Sequence, residues 1–575
     1  MSATINTRCE RLRTLFSPHI RESHWTRAAG LVQDTHGFNA GTMLRKCLIH
    51  ISLRRNRHRY GLLRATVRYG DIHRRGATST AVMGDNVKPK TMDDLGGPGF
   101  LSTLNWLFVK GYLKKSQLMQ IEHKKIYGPI WRSTFGPIVL VNVASADLIE
   151  QVLRQEGRLP IRTDMPHWRA YRELRNQAYG PLTEMGANWQ RIRSILNPWL
   201  LKPKHVSSYT DTINQVVTDF IDRVAWLRET SGQGVLVNDL AGELYKFTFE
   251  GTCSVLFEKR MGCLNEVVPE KTLKYIDSVG EMLRQSQIVI FFPKSTWPYL
   301  PFWKKFVKAW DYLFNVAEEL VQEKMKEIEE RVKQDQNVEG AYLTHLLLSD
   351  KMTVTEILGS ITEILMAAVD TTSNTIAWSL YELAKEPEIQ EKLYQEVISV
   401  CPGDKVPVSD DIAQMPYLKA VVRETLRMYP AIAGNARVTA EEEVVVGGYV
   451  FPKKTLFHLC SYAASYDESV FPNPYAFFPD RWLRGSEEKF KQHPFASLPF
   501  GFGIRGCLGR RFAELEMYLF LSRMIKSYKL RPDPTGAEVE PITRTLLCPA
   551  KEINLQFLER KVEQEEPRAA TGVSL

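Results

Sequence analysis

The stretch Phe500-Gly501-Phe502-Gly503-Ile504-Arg505-Gly506-Cys507-Leu508-Gly509 constrains this chain more than any other. Its glycines let the backbone turn sharply and lie close against a flat partner. Arg505 stands two positions before the single cysteine, and a helical pattern begins just beyond. The first amides of that helix and its positive dipole end point back at the sulfur. Both effects favour a thiolate over a thiol. A buried thiolate needs a counter-charge, and a metal ion supplies one.

Upstream, Thr353-Val354-Thr355-Glu356 forms a capping box that opens a long helical run. The run continues to Glu386, where Pro387 stops it. At 1.5 Å per residue it reaches roughly 50 Å, enough to cross a domain. Its middle reads Ala367-Ala368-Val369-Asp370-Thr371-Thr372-Ser373, an acid and three hydroxyls inside an apolar helix. Such hydroxyls compete for backbone carbonyls and bend the helix. A buried Asp is costly unless it finds a partner. Two further pairs share a helix face: Trp189 with Arg193 at i and i+4, and Glu424 with Arg427 at i and i+3.

The remaining pattern predicts a mainly α protein with small β-sheets. Helix is expected from about 100 to 127 and over most of 205–345. A hairpin is expected from Ile130–Phe135 and 138–142 about Gly136-Pro137, and short strands at Val444–Val446, Tyr449–Phe451 and 455–460. Segment 431–437 reads as short and weakly helical. The apolar run 288–292, followed by Trp297, Phe302 and Trp303, is too short to span a bilayer. It is either core or an apolar lip at a membrane surface.

The net charge of +9 is unevenly spread. Residues 1–84 carry fourteen Arg and one Lys against Glu10, Glu22, Asp34 and Asp71, a net +11, so the rest of the chain sums to −2. The folded part therefore has no basic bias toward nucleic acid. An Arg-rich, acid-poor N-terminus has the composition of an organelle transit segment, which we read as mitochondrial; the alternatives are a disordered basic tail and a basic membrane-surface arm. We read 1–84 as that segment with a basic arm, 85–96 as a linker and 97–575 as one folded domain. The eight cysteines show no CxxC pair, which argues against a disulfide framework or a zinc site.

The spacing Phe-x-x-Gly-x-Arg-x-Cys-x-Gly resembles the haem-binding loop of the cytochrome P-450 family at every fixed position. The resemblance implies the triangular P-450 fold, with haem b between the long central helix and the helix after the loop. It makes Cys507 the axial thiolate ligand, with Phe500 packed beside the sulfur. Arg505, Trp189, Arg193 and Arg437 become contacts to the haem propionates. Asp370 and Thr371 resemble the family's acid–alcohol pair, which handles oxygen and protons. Ala368 departs from the glycine that many members carry there. Glu424, Arg427 and Arg481 resemble a buried structural network.

Within the family, Phe257-Glu258-Lys259-Arg260-Met261-Gly262 and Gly509-Arg510-Arg511-Phe512-Ala513-Glu514 resemble the mitochondrial sterol and vitamin D hydroxylase group. That group implies hydroxylation of a sterol or secosteroid side chain with O2 and electrons from NADPH through ferredoxin reductase and ferredoxin. The acidic ferredoxin would dock at Lys419 and Arg423, with Arg510 and Arg511 adding to the patch. The protein would lie on the matrix side of the inner mitochondrial membrane. The alternatives are a retinoid hydroxylase or desaturase, a haem-thiolate isomerase, and a non-catalytic lipid-binding protein with a vestigial loop.

Overall fold

The computed structural model describes residues 89–135, 138–230, 234–338, 340–439, 442–486 and 492–560. The basic stretch 1–84 lies outside the described residues. The architecture is organised on the helix Val354–Lys385, whose capping box forms as expected: Glu356 N donates to Thr353 Oγ1 at 3.2 Å and Thr353 N to Glu356 Oε2 at 2.9 Å. Because the helix is apolar on almost every side, it is buried on almost every side. It packs against Leu240–Leu256, Pro301–Lys333, Pro416–Met428 and Arg510–Ser527. Phe220, Phe247 and Phe520 mark the main core beside it, their ring centroids 4.6–5.5 Å apart.

The sheets are small. In the largest, Ile130–Phe135 pairs antiparallel with Ile138–Val143, which runs parallel to Leu456–Leu459, itself antiparallel to Asn435–Val438. The expected hairpin is present. Segment 431–437 is not helical; its second half enters this sheet. The expected helix 100–127 is split into Phe100–Leu104, a π-turn at Asn105–Val109 and Ser116–Tyr127. Gly111, at φ +75°, lies in the break.

The linker reading of 85–96 fails over its second half. Lys90–Thr91 pairs with Tyr449 and Val450, and Leu95 is buried in the core. Arg132 N donates to Gly96 O at 2.9 Å, so the segment continues along a strand edge. Pairing of this kind uses backbone groups, so a sparse apolar composition does not reveal it.

Glu424, Arg427 and Arg481 form the expected buried network. Arg427 donates to both carboxylate oxygens of Glu424 at 2.8 and 3.0 Å, and Arg481 Nε donates at 3.1 Å. Trp482 Nε1 and Phe478 N also donate to Glu424, at 2.8 and 3.1 Å. A carboxylate between two guanidiniums, with its remaining lone pairs satisfied, is a form in which such charges are tolerated inside a protein. Among the described residues no helix is long and apolar enough to cross a membrane.

Candidate active site

The glycine-rich loop forms one wall of an internal cavity. Gly501 and Gly503 adopt φ values of +71° and +64°, which side-chain-bearing residues rarely reach. The tight turn they allow closes with Cys507 N donating to Phe500 O at 2.8 Å. Cys507 and Phe500 both line the cavity, and the helix Arg510–Ser527 starts immediately behind them. Burial pushes the Cys507 thiol up, while the Gly509 amide and the charges of Arg162, Arg193 and Arg510 oppose that rise. The loop thus presents a sulfur that is exposed to the cavity yet enclosed by surrounding protein, its anionic form favoured by the nearby charges and disfavoured by desolvation.

Trp189 and Arg193 reach the same cavity from the helix Gly186–Leu201, and both are buried. Arg193 Nη2 donates to Gly506 O at 3.0 Å, and the Arg505 guanidinium lies 3.6 Å over the Trp189 ring. Arg505 Nε donates to Pro160 O at 2.9 Å. Arg162 joins them by donating to the Arg505 carbonyl. Sequence reasoning missed Arg162: it stands in the unpatterned stretch Leu159-Pro160-Ile161-Arg162, more than 340 positions from its partner. Arg437 stands beside this group. It does not line the cavity but is bound to Glu156, with Nε to Oε2 at 2.6 Å.

The four guanidiniums act on one another. Burial together with Arg162, Arg437 and Arg193 pulls Arg505 down to about 9, and burial with Arg437 and Arg193 pulls Arg162 down to about 10. Glu156 is the carboxylate that opposes this charge. Arg162 Nε and Arg193 Nε are buried without a hydrogen-bond partner among the described residues. Concentrated cations with free donors facing a cavity are arranged for an anionic ligand, and guanidinium forks fit carboxylates.

The central helix supplies the facing wall. Ala367, Ala368, Thr371, Thr372 and Thr375 line the cavity, and Thr371 Oγ1 donates to Ala367 O at 2.8 Å, four residues back. The methyl of Ala368 thus stands where a glycine would leave a gap. Asp370, the other member of the acid–alcohol pair, has its carboxylate outside the cavity lining. A single step along a helix turns a side chain by about 100°, and the Asp370 carboxylate is directed toward Leu240–Leu256 rather than into the cavity. There it accepts from the Tyr245 hydroxyl, which in turn accepts from Asn374 Nδ2 at 2.9 Å. Burial raises the Asp370 carboxyl, with the Tyr245 hydrogen bond and the Arg544 charge opposing.

Another unexpected wall residue is Glu363. It is fully buried, paired with buried Arg172, and it accepts from Leu182 N at 2.8 Å and from Thr183 Oγ1. Gly180 and Gly359 permit that approach, since a Cβ on Gly180 would lie 2.7 Å from Gly359 O and one on Gly359 2.6 Å from Ala178 O. Residues 178–184 are thereby pinned to the central helix beside the cavity.

The proposed docking cations lie near the loop's outer side, with the Arg510 guanidinium 5.5 Å over the Phe500 ring. Arg423, Arg510 and Arg511 are exposed, and all three are close enough to act on Tyr518. Lys419 is half-buried and donates to Ala413 O at 3.0 Å. Arg510 is paired with Glu514 at 3.0 Å.

Comparison with known proteins bears on this geometry. Residues 96–557 match the family model described as Cytochrome P450. Sterol 26-hydroxylase, mitochondrial, of Rattus norvegicus is 45% identical over 83% of this chain and 90% of its own length. The Homo sapiens protein of that name is 44% identical over 82% and 90%. The 25-hydroxyvitamin D-1 alpha hydroxylase, mitochondrial, of Homo sapiens is 41% identical over 82% of this chain and 93% of its own. Among solved structures, the cytochrome P450DA heme domain superposes with a TM-score of 0.67, covering 81% of this chain and 99% of that one, at 20% identity. That likeness speaks for the fold alone.

Proposed function

Because the chain belongs to the cytochrome P450 family, we propose that it is a mitochondrial monooxygenase that hydroxylates the side chain of a sterol or secosteroid, using electrons from a ferredoxin. The observation that carries this reading is a single apolar cavity into which Cys507, three arginines and Thr371 all face. The residues fit haem: a sulfur on a glycine-rich wall for the iron, and a cationic rim with free buried donors for two propionates. When bound, haem on a cysteine thiolate supplies the activation of dioxygen.

The chain's own groups do the rest. Arg162, Arg193 and Arg505, with the Trp189 face beside them, would hold the propionates. Arg437 supports the cluster indirectly through Glu156. Thr371 holds a hydroxyl inside the cavity, where it donates or relays a proton. Asp370, one position back, takes the role of the family's relay acid, its carboxylate held by Tyr245 outside the cavity lining. Leu182, Ile364, Leu426, Ile432 and Leu498 give the cavity an apolar lining suited to a lipophilic substrate and hostile to bulk water.

The relatives' names point to the substrate class. Purified enzyme with ferredoxin, ferredoxin reductase and NADPH should hydroxylate cholesterol or a bile-alcohol precursor in preference to vitamin D or retinol. Turnover confined to vitamin D or retinol would overturn the sterol reading, and no turnover with any of the four would overturn the hydroxylase reading. Thr371→Val should lower kcat about 100-fold, the low end for a positioned proton donor, with substrate affinity unchanged. Equal losses in kcat and affinity would make Thr371 a substrate contact instead.

The partner is an acidic ferredoxin meeting Arg423, Arg510 and Arg511, with Lys419 at the edge. Opposite charge steers such encounters and loses its effect in salt. Arg423→Glu should slow reduction by ferredoxin about tenfold at low salt, and the difference should vanish at high salt. Turnover supported by peroxide should not change. A salt-independent loss would count against the docking role.

The protein lies against the matrix face of the inner membrane through its exposed apolar corner. Ile290 and Phe292 are 45% and 37% exposed, while the neighbouring Val289 and Trp297 are buried. The run 288–292 is therefore part core and part lip. Phe108 meets Phe291 with ring centroids 5.7 Å apart, which brings exposed Phe108 and Val109 to the same corner.

A further inference from the structure

A second hollow, of about 670 Å³, lies outside the haem cavity, between the helices Pro166–Arg175 and Pro301–Lys333 and the turn Lys294–Tyr299. Its floor is apolar. Trp297 and Trp303 stack with centroids 5.2 Å apart, beside Leu174 and Val307. Trp297 Nε1 donates to Phe292 O at 2.8 Å, so the floor is fastened to the exposed lip described above.

The charges at its edge do not cancel. Arg175 is paired with Asp311 at 2.8 Å and Lys294 with Glu173 at 3.3 Å. Lys304 and Lys308 also line the hollow, are exposed, and have no carboxylate partner among the described residues. They stand at i and i+4 on one helix face. Two cations are therefore left over above an aromatic, aliphatic floor. An inorganic anion would have no use for that floor, and a neutral sterol would have no use for the lysines. An amphiphile with an anionic head uses both.

We infer that this hollow binds an anionic phospholipid of the membrane surface, its phosphate between Lys304 and Lys308 and its upper acyl region over Trp297 and Trp303. The inference rests on the membrane-facing reading of the Ile290–Phe292 corner and names the lipid class that corner selects. Juxtamembrane lysines each contribute an attraction that a diffuse surface charge shares equally. A built hollow, by contrast, distinguishes lysines inside it from those outside. Lys305 supplies the comparison: it is exposed on the same helix but does not line the hollow.

The test uses the full-length holoenzyme, so residues 1–84 contribute equally to every variant. Vesicles of phosphatidylcholine, with and without phosphatidylglycerol, measure partitioning. Lys304→Gln and Lys308→Gln should each weaken binding to the anionic vesicles about fivefold, and Lys305→Gln less than about twofold. Dihexanoyl-phosphatidylglycerol below its micelle concentration should raise the melting temperature of the wild type and not of the Lys304→Gln/Lys308→Gln double variant. An equal loss at Lys305→Gln, or an equal melting shift in the double variant, would overturn the hollow as a site. An Ile290→Ser/Phe292→Ser variant that binds neutral vesicles as well as the wild type would overturn the membrane-facing reading instead, and the melting shift would still decide the hollow.

Discussion

Glu424→Ala is expected to cost about 3–5 kcal/mol of stability and to leave most of the expressed protein without haem. The reason lies in what remains behind. Arg427 and Arg481 are both buried, and each also donates to backbone carbonyls, Ser465 O at 2.9 Å and Pro472 O at 3.2 Å. Those bonds fix them in place and prevent them from swinging out to water once the carboxylate is gone. Trp482 Nε1 and Phe478 N lose their acceptor in the same step. The role is structural, so the fraction that does take up haem should turn over substrate at the native rate per haem. A Glu424→Ala protein that folds and loads fully but has lost its turnover would assign Glu424 to the chemistry instead.

Glu516→Gln is expected to act in the opposite direction. Glu516 is on the helix Arg510–Ser527, fully enclosed, facing Gly251 of Leu240–Leu256, where a Cβ would come within 2.5 Å of its oxygen. Neither carboxyl oxygen has a hydrogen-bond partner among the described residues, and burial pushes the group from 4.5 up to about 8. A carboxyl raised on folding binds its proton more tightly in the native state. Stability is therefore fully present below pH 4.5, falls as pH rises, and reaches its floor above about 8. At pH 7 the penalty is about 3 kcal/mol. Gln keeps the shape and cannot ionise. The variant should melt about 3 °C above the wild type at pH 7, and the two should converge at pH 4.5. A gap that does not depend on pH would show that Glu516 is not neutral in the folded protein.

What was readable in the sequence was whatever is written over short spacings. The loop at Cys507, the Trp189–Arg193 pair, the Thr353–Glu356 capping box and the hairpin at Ile130–Val143 all depend on residues within a turn or two of each other. The structure places each where the spacing implied. What was not readable depends on contacts across the chain. Arg162 reaches Arg505, Arg172 reaches Glu363 and Tyr245 reaches Asp370 over more than a hundred residues, and no local pattern marks any of them. The direction of Asp370 is the instructive case. The motif put an acid beside Thr371, but helix geometry turns neighbouring side chains apart, and only the position of Tyr245 shows where the carboxylate goes. Likewise, the pairing at Lys90–Thr91 is a backbone contact that composition could not announce.

The assignment of Cys507 as a thiolate ligand, on which the oxygen chemistry depends, is decided by one optical measurement. The reduced holoenzyme under carbon monoxide should show a difference band at about 450 nm, the mark of thiolate ligation. Cys507→Ser, prepared in parallel, should lack it. A wild-type spectrum without that band, or a band that survives in Cys507→Ser, would contradict the assignment.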